Sequence, residues 1–169
     1  MILIAPGTTI AGIGVGGLTP GAAADRVNTV LAETRVVLGP DAVVTGEQLG
    51  ASVDALALAE RAHAEHPMWN VGSWFADPIP AAITFDPAAA DATLRRVVPT
   101  SYTDPVDAGI TFDAAAGAYV ASPAENGIGV DLAALSTAFG QALAAGATSF
   151  EAAPSPVEVV PALTDEVAA

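Results

Sequence analysis

The sequence predicts an α+β fold with about four helices and small antiparallel or mixed sheets. Four apolar runs have helical spacing, and each follows a residue that can cap a helix. Between them lie short extended runs bounded by turn residues. A third observation, similarity between the two parts of the chain, predicts that the body consists of two packed β-α-β-β-α half-units.

The first helix follows a glycine-dense apolar stretch that ends at Leu18. Thr19 can cap this helix, and Pro20 suits its first position, so we expect it to run to about Glu33. The glycines of this stretch also match the G-x-G-x-x-G pattern of dinucleotide-binding proteins. In those proteins the glycine run itself opens the helix, whereas here the helix begins only after Thr19-Pro20. We therefore interpret the glycines as turn and close-packing residues and predict no cofactor.

Three further helices are predicted from the same signals. They follow Asp54, Asp86 and Asp131. The second should end at His66, because a proline follows it and disfavours helical backbone there. Residues 127–131 open the fourth helix, and Gly146 is a natural stop for it. Runs typical of strands are 35–38, 42–45, 82–85, 109–112, 118–121, 149–151 and 157–160.

An internal repeat supports the prediction of half-units. The pattern Gly50-x-x-Val53-Asp54-x-x-x-Leu58 recurs as Gly127-x-x-Val130-Asp131-x-x-x-Leu135. The chain of 169 residues is then one module with two duplicated halves, about 8–80 and 81–164. The alternative is chance similarity between helix caps.

Charge and composition exclude several classes of function. The net charge is −14, and all five basic residues are arginine, so nucleic acid and anionic lipid are excluded as partners. No apolar run is long enough to cross a bilayer, which predicts no membrane insertion. The chain has no cysteine and no G-x-S-x-G motif, so we predict that this segment is not an enzyme and has no catalytic residues.

A metal site is not predicted. The only two histidines, His63 and His66, lie one turn apart at the end of the second helix. A catalytic zinc ion needs a third protein ligand, for which the sequence offers no clear candidate. Histidines near a helix C-terminus interact favourably with the helix dipole, which is the simpler interpretation.

The irregular segment 67–80 holds the candidate ligand-binding residues Trp69, Asn70 and Trp74. The two indoles could stack on sugar rings, and the Asn70 amide could bond to hydroxyl groups. The alternative is that the indoles fold back onto the second helix and fill gaps in an alanine-rich core, since large aromatics dominate burial. We favour burial of at least one indole, and Trp69, nearest the helix end, is the stronger candidate.

Several motifs resemble the peptidoglycan-binding domain that precedes the catalytic domain of many bacterial L,D-transpeptidases. The domain also occurs in vancomycin-resistance-associated W-type surface proteins. The matching stretches are G-T-T-I-A-G-I-G-V-G-G-L-T-P-G-A-A (7–23), E-Q-L-G-A-S-V-D (47–54), H-P-M-W-N-V-G-S-W (66–74), N-G-I-G-V-D-L-A-A-L (126–135) and V-E-V-V-P-A-L-T (157–164). The H-P-x-W-N segment is similar to actinobacterial members. These motifs are turns and caps rather than catalytic residues.

The resemblance implies a non-catalytic module of the cell envelope, outside the cytoplasm. Its implied partner is peptidoglycan or another domain of the same polypeptide, with a membrane anchor or export segment upstream and a further domain downstream. The transpeptidase cysteine is absent from this chain. The alternative function is a ligand-free spacer that holds a catalytic domain away from the membrane.

Overall fold

The computed structural model describes residues 3–74 and 77–164 and confirms the α+β fold. The described helices are α1 Pro20–Glu33, α2 Ala55–Glu65, α3 Pro87–Val97 and α4 Leu132–Ala144, with short 3₁₀ turns at Val71–Ser73 and Pro99–Ser101. The strands are β1 Thr9–Ile10, β2 Ile13–Gly14, β3 Arg35–Gly39, β4 Ala42–Thr45, β5 Gly109–Asp113, β6 Ala118–Ser122, β7 Gly127–Val130, β8 Ser149–Glu151 and β9 Pro156–Val159. None of the helices in these described residues is long and apolar enough to span a membrane.

The helices begin where the capping residues predict. A side-chain oxygen of each cap accepts a hydrogen bond from the first turn, which satisfies one of the free N–H groups there. The caps and their bond lengths are Thr19 (3.3 Å, from Ala22), Asp54 (3.1 Å, from Ala57), Asp86 (2.9 Å, from Ala88) and Asp131 (3.0 Å, from Ala133). Helix α2 stops before His66, and α4 ends just before Gly146, whose φ is 77°.

The glycine-dense stretch forms a tight hairpin rather than a nucleotide-binding loop. Strands β1 and β2 are joined by Ala11 and Gly12, whose φ angles are 50° and 80°. Two positive φ values match the twist of paired strands and favour glycine. A Cβ placed on Gly12 would lie 2.6 Å from the Ala144 Cα atom, so the hairpin packs directly on the end of α4. The turn and close-packing interpretation is therefore confirmed.

A three-stranded sheet and the helices enclose the core. Strand β3 pairs antiparallel with β4 and parallel with β8, giving the order β4-β3-β8. Val36 and Val44 of this sheet are fully buried. Phe139 of α4 is also fully buried and makes edge-on contacts with Phe85 and Phe150. The parallel pairing of β3 with β8 joins segments from both parts of the chain in one core.

One strand prediction and one helix prediction need correction. Residues 82–85 form no strand and make only one bridge, in which Thr84 and Ser52 exchange backbone hydrogen bonds of 2.8 and 3.0 Å. One further hydrogen bond joins the two segments, from the Asp86 amide to the Gly50 carbonyl at 3.1 Å, and Asp86 then caps α3. Residues 127–130, predicted to open the fourth helix, form β7 and pair with β9.

The proposed duplication stays a prediction. Asp54 and Asp131 cap their helices in the same way, as the repeat implies. The glycines of the repeat differ, because Gly50 has a φ of 64° whereas Gly127 lies in an extended strand.

Strands β5 and β6 form a hairpin that projects from the body. At its base, single bridges join Thr103 to Ile128 and Val106 to Glu125. Residues 110–123 are all exposed. The register places Ile110 beside Ala121 and Phe112 beside Tyr119, and side chains alternate between faces. One face of the hairpin is therefore apolar and open to solvent.

Candidate functional site

The tryptophan loop begins where α2 ends and is fastened to the N-terminal part of the chain. The His66 carbonyl accepts a hydrogen bond of 2.8 Å from the Ala5 amide, and Pro67 forms a bridge with Ile4. Both Ile4 and Ala5 are fully buried. The start of the loop is thus held by the core, which restricts the backbone that carries Trp69.

The structure shows that the expected burial of Trp69 is wrong. Trp69 is 82% exposed, whereas Trp74 is half-buried and donates from Nε1 to the Met68 carbonyl at 3.1 Å. The buried face of α2 consists of alanines and packs against α1. Since α1 already covers this face, the indole at the helix end is left in solvent.

Asn70 stabilises the turn that carries both indoles. Its Oδ1 accepts a hydrogen bond of 3.2 Å from the Gly72 amide, which caps the 3₁₀ turn Val71–Ser73. The backbone N–H of Asn70 donates to the Pro67 carbonyl at 3.0 Å. All three predicted binding residues therefore belong to one braced turn. Trp69 is exposed, and Trp74 is hydrogen-bonded to the Met68 carbonyl of the same turn.

The two histidines lie beside this turn. His66 is 91% buried, and the Nδ1 atoms of His63 and His66 have no hydrogen-bond partner among the described residues. Within residues 3–74 and 77–164, no group of three or more His, Asp or Glu side chains is arranged to hold a metal ion.

A second cluster of polar groups lies at the base of the β5–β6 hairpin. Arg95 bonds to Asp91 and Asp104, both at 2.7 Å, and these hydrogen bonds raise its pKa. The Arg95 guanidinium also lies 4.6 Å from the centre of the Tyr102 ring. Burial, and next the negative charge of Asp91, raise the pKa of Tyr102. Both carboxylates and the ring are occupied by Arg95, so this cluster is an ion-pair network that fastens α3 to the following loop.

The structure also forms a groove that the sequence analysis did not predict. It has a volume of about 520 Å³ and lies where α1 ends and the β4-β3-β8 sheet begins. Its charged lining residues are Glu33, Arg35 and Glu47. The alternation of β3 gives a signal for it, because Val36 must face the core and Arg35 must then face outward.

No family model, curated protein or solved structure matches this chain. The resemblance to the peptidoglycan-binding domain therefore remains a prediction from the motifs.

Proposed function

We propose that this chain is a non-catalytic module of the cell envelope, outside the cytoplasm, that binds peptidoglycan or positions a partner domain on it. The motifs suggest this role, and the observation that carries it is the exposed indole of Trp69 on a braced turn. An indole left 82% exposed contributes little to folding, so its apolar area is available for a ligand.

The turn is suited to stacking on a sugar ring. Its backbone is already fixed by the Pro67 and Gly72 hydrogen bonds, so less conformational entropy is lost on binding. The apolar face of a sugar ring can pack on the Trp69 indole. Because the net charge of −14 opposes attachment to an anionic wall, stacking has to supply the affinity. Added salt should therefore preserve or strengthen binding.

Retention on purified sacculi tests this proposal. We expect the wild-type chain to be retained and Trp69→Ala to weaken retention by about 5-fold or more, because the substitution removes the apolar area on which the sugar ring packs. The melting temperature should stay nearly unchanged, since the indole is exposed. Leu56→Ala is the matched control, because Leu56 is an exposed apolar residue on the outer side of α2. Equal retention of wild type and Trp69→Ala would contradict the proposal.

A ligand-free spacer is the second candidate, and one observation favours it. Three grooves of about 520, 430 and 530 Å³ lie elsewhere on the surface, and neither tryptophan lines any of them. A small-molecule site is usually concave, so an indole outside these grooves is also compatible with no ligand. If sacculi fail to retain the wild-type chain while a known wall-binding protein is retained, the spacer function is supported.

A further inference from the structure

The groove at the end of α1 contains a row of polar side chains fixed by strand register. Arg35 of β3 lies opposite Thr45 of β4 and opposite Ser149 of β8. Directly paired residues point to the same face of a sheet. Val36, the next residue of β3, is fully buried, so this row lies on the outer face. Arg35 is thus flanked on the two neighbouring strands by Thr45 and Ser149, which both carry hydroxyl groups.

Backbone hydrogen bonds hold the walls of the groove in place. The amides of Gly46 and Glu47 donate to the carbonyls of Thr34 and Ala32, at 2.9 and 3.1 Å. The Arg35 amide donates to the Thr148 carbonyl at 2.9 Å. The end of α1, the turn after β4 and the loop before β8 are thereby joined around one opening. Such a site is largely formed before a ligand enters.

The charges in this groove have both signs. Arg35 is its one positive group among the described lining residues, and Glu33 and Glu47 are negative. No described residue forms an ion pair with any of these three. The last turn of α1 has no basic residue, so the negative end of the helix dipole adds to the two carboxylates. The groove therefore presents charged groups of the sign that a carboxylate needs and of the sign that an ammonium group needs.

We propose that this groove binds the charged ends of an amino acid or short peptide. The ligand carboxylate bonds to the Arg35 guanidinium, which presents paired N–H donors suited to a carboxylate. The ligand ammonium lies toward Glu33 and Glu47. Thr45 Oγ1 accepts a hydrogen bond from the Gln48 backbone N–H at 3.3 Å, and its hydroxyl group donates to the ligand.

This site is separate from the tryptophan loop. The Ile4 amide donates to the Leu18 carbonyl and the Ala5 amide to that of His66, so the beginning of α1 lies near the end of α2. The groove is at the opposite end of α1, and a helix of 14 residues is about 21 Å long at about 1.5 Å per residue. Ligand binding in the groove is therefore independent of wall binding through Trp69.

Titration of the ¹⁵N-labelled chain with trialanine, followed by NMR, tests the proposal. We expect saturable shifts of the Arg35, Thr45 and Ser149 amides at millimolar concentration or below. N-acetyl-trialanine and trialanine amide each lack one charge and should bind at least about 5-fold more weakly. Free alanine distinguishes the two sources: equal binding identifies an amino acid ligand, and weaker binding identifies a peptide. Absence of saturable shifts, or equal binding of the blocked peptides, would overturn the proposal.

Matched variants locate the interaction. Arg35→Gln should reduce trialanine affinity at least about 10-fold, which is about 1.4 kcal/mol. Arg26→Gln makes the same charge change at an exposed position of α1 and should leave affinity unchanged. Trp69→Ala should also leave it unchanged, which separates this site from the proposed wall-binding turn. If Arg35→Gln and Arg26→Gln bind trialanine equally well, the assignment to the groove is wrong.

Discussion

The hairpins β3–β4 and β5–β6 have similar sequence patterns and opposite environments. Both are antiparallel and alternate in side-chain direction, apart from a register shift between Val37 and Gly39 of β3. In β3–β4 the core-facing residues Val36 and Val44 are fully buried, and β8 extends the sheet. In β5–β6 the equivalent apolar residues are exposed, among them Phe112 at 58% and Tyr119 at 76%. Among the described strands, none pairs with either edge of this second hairpin.

The difference shows that alternation specifies an apolar face but not what covers it. An isolated two-stranded hairpin is marginally stable in water. Strands β5 and β6 are supported by their own cross-strand pairs, such as Phe112 and Tyr119 with ring centres 5.2 Å apart. Such a pair contributes about 0.2–1 kcal/mol, so most of the free energy of unfolding must come from the body.

The largest expected effect comes from making the same substitution, phenylalanine to alanine, in both environments. Phe139→Ala removes a fully buried ring that contacts Phe85 and Phe150, and it should lower the free energy of unfolding by about 3–5 kcal/mol. Phe112→Ala should cost less than about 1 kcal/mol. Urea denaturation followed by circular dichroism measures both values. A loss for Phe112→Ala as large as that for Phe139→Ala would show that the hairpin is part of the cooperative core.

The next test compares the loss of stability when alanine replaces two glycines with positive φ. Gly12 joins β1 and β2 against the end of α4, whereas Gly117, at the tip of β5–β6, has open space around it. Gly117→Ala should cost about 1–2 kcal/mol from backbone strain alone. Gly12→Ala adds a clash with α4 and should cost a further 1–3 kcal/mol, roughly the effect of overpacking. Thermal melts of the two variants test this, and equal losses would contradict close packing at Gly12.

Local chemistry explains which parts of the fold the sequence predicts. A capping side chain acts on N–H groups two or three residues away, so Thr19, Asp54, Asp86 and Asp131 locate the helix starts without tertiary information. The sequence pattern does not indicate strand β7, because its glycines have low strand propensity and its partner β9 is distant in sequence. Residues 82–85 alternate as a strand should, yet their pairing ends after one bridge.

The candidate sites depend on tertiary packing, which limits their prediction. The sequence identifies segment 67–80 as unusual, but the exposure of Trp69 follows from the packing of α1 on α2. The groove needs three segments of the chain to meet, at residues 33–35, 45–47 and 148–149. The β3 alternation predicts only that the Arg35 side chain faces outward. It does not predict the parallel pairing with Ser149.

The smallest expected effect on stability comes from ionisation of Tyr102, which lies where the β5–β6 hairpin joins the rest of the fold. Burial and the nearby Asp91 raise its pKa, while the charge of Arg95 partly opposes this. The folded state therefore binds the phenolic proton more tightly than the unfolded state, whose tyrosine pKa is about 10. Stability should be unaffected below about pH 9 and should fall as the pH rises above about 10.

Tyr119→Phe leaves Tyr102 as the sole tyrosine, so tyrosinate absorbance reports it directly. Its midpoint should lie at higher pH in the native chain than in concentrated urea, and Asp91→Asn should reduce but not abolish the difference, because burial is the larger cause. A native midpoint at or below the urea value would show that Tyr102 is solvated and that the junction is as open as the hairpin beyond it.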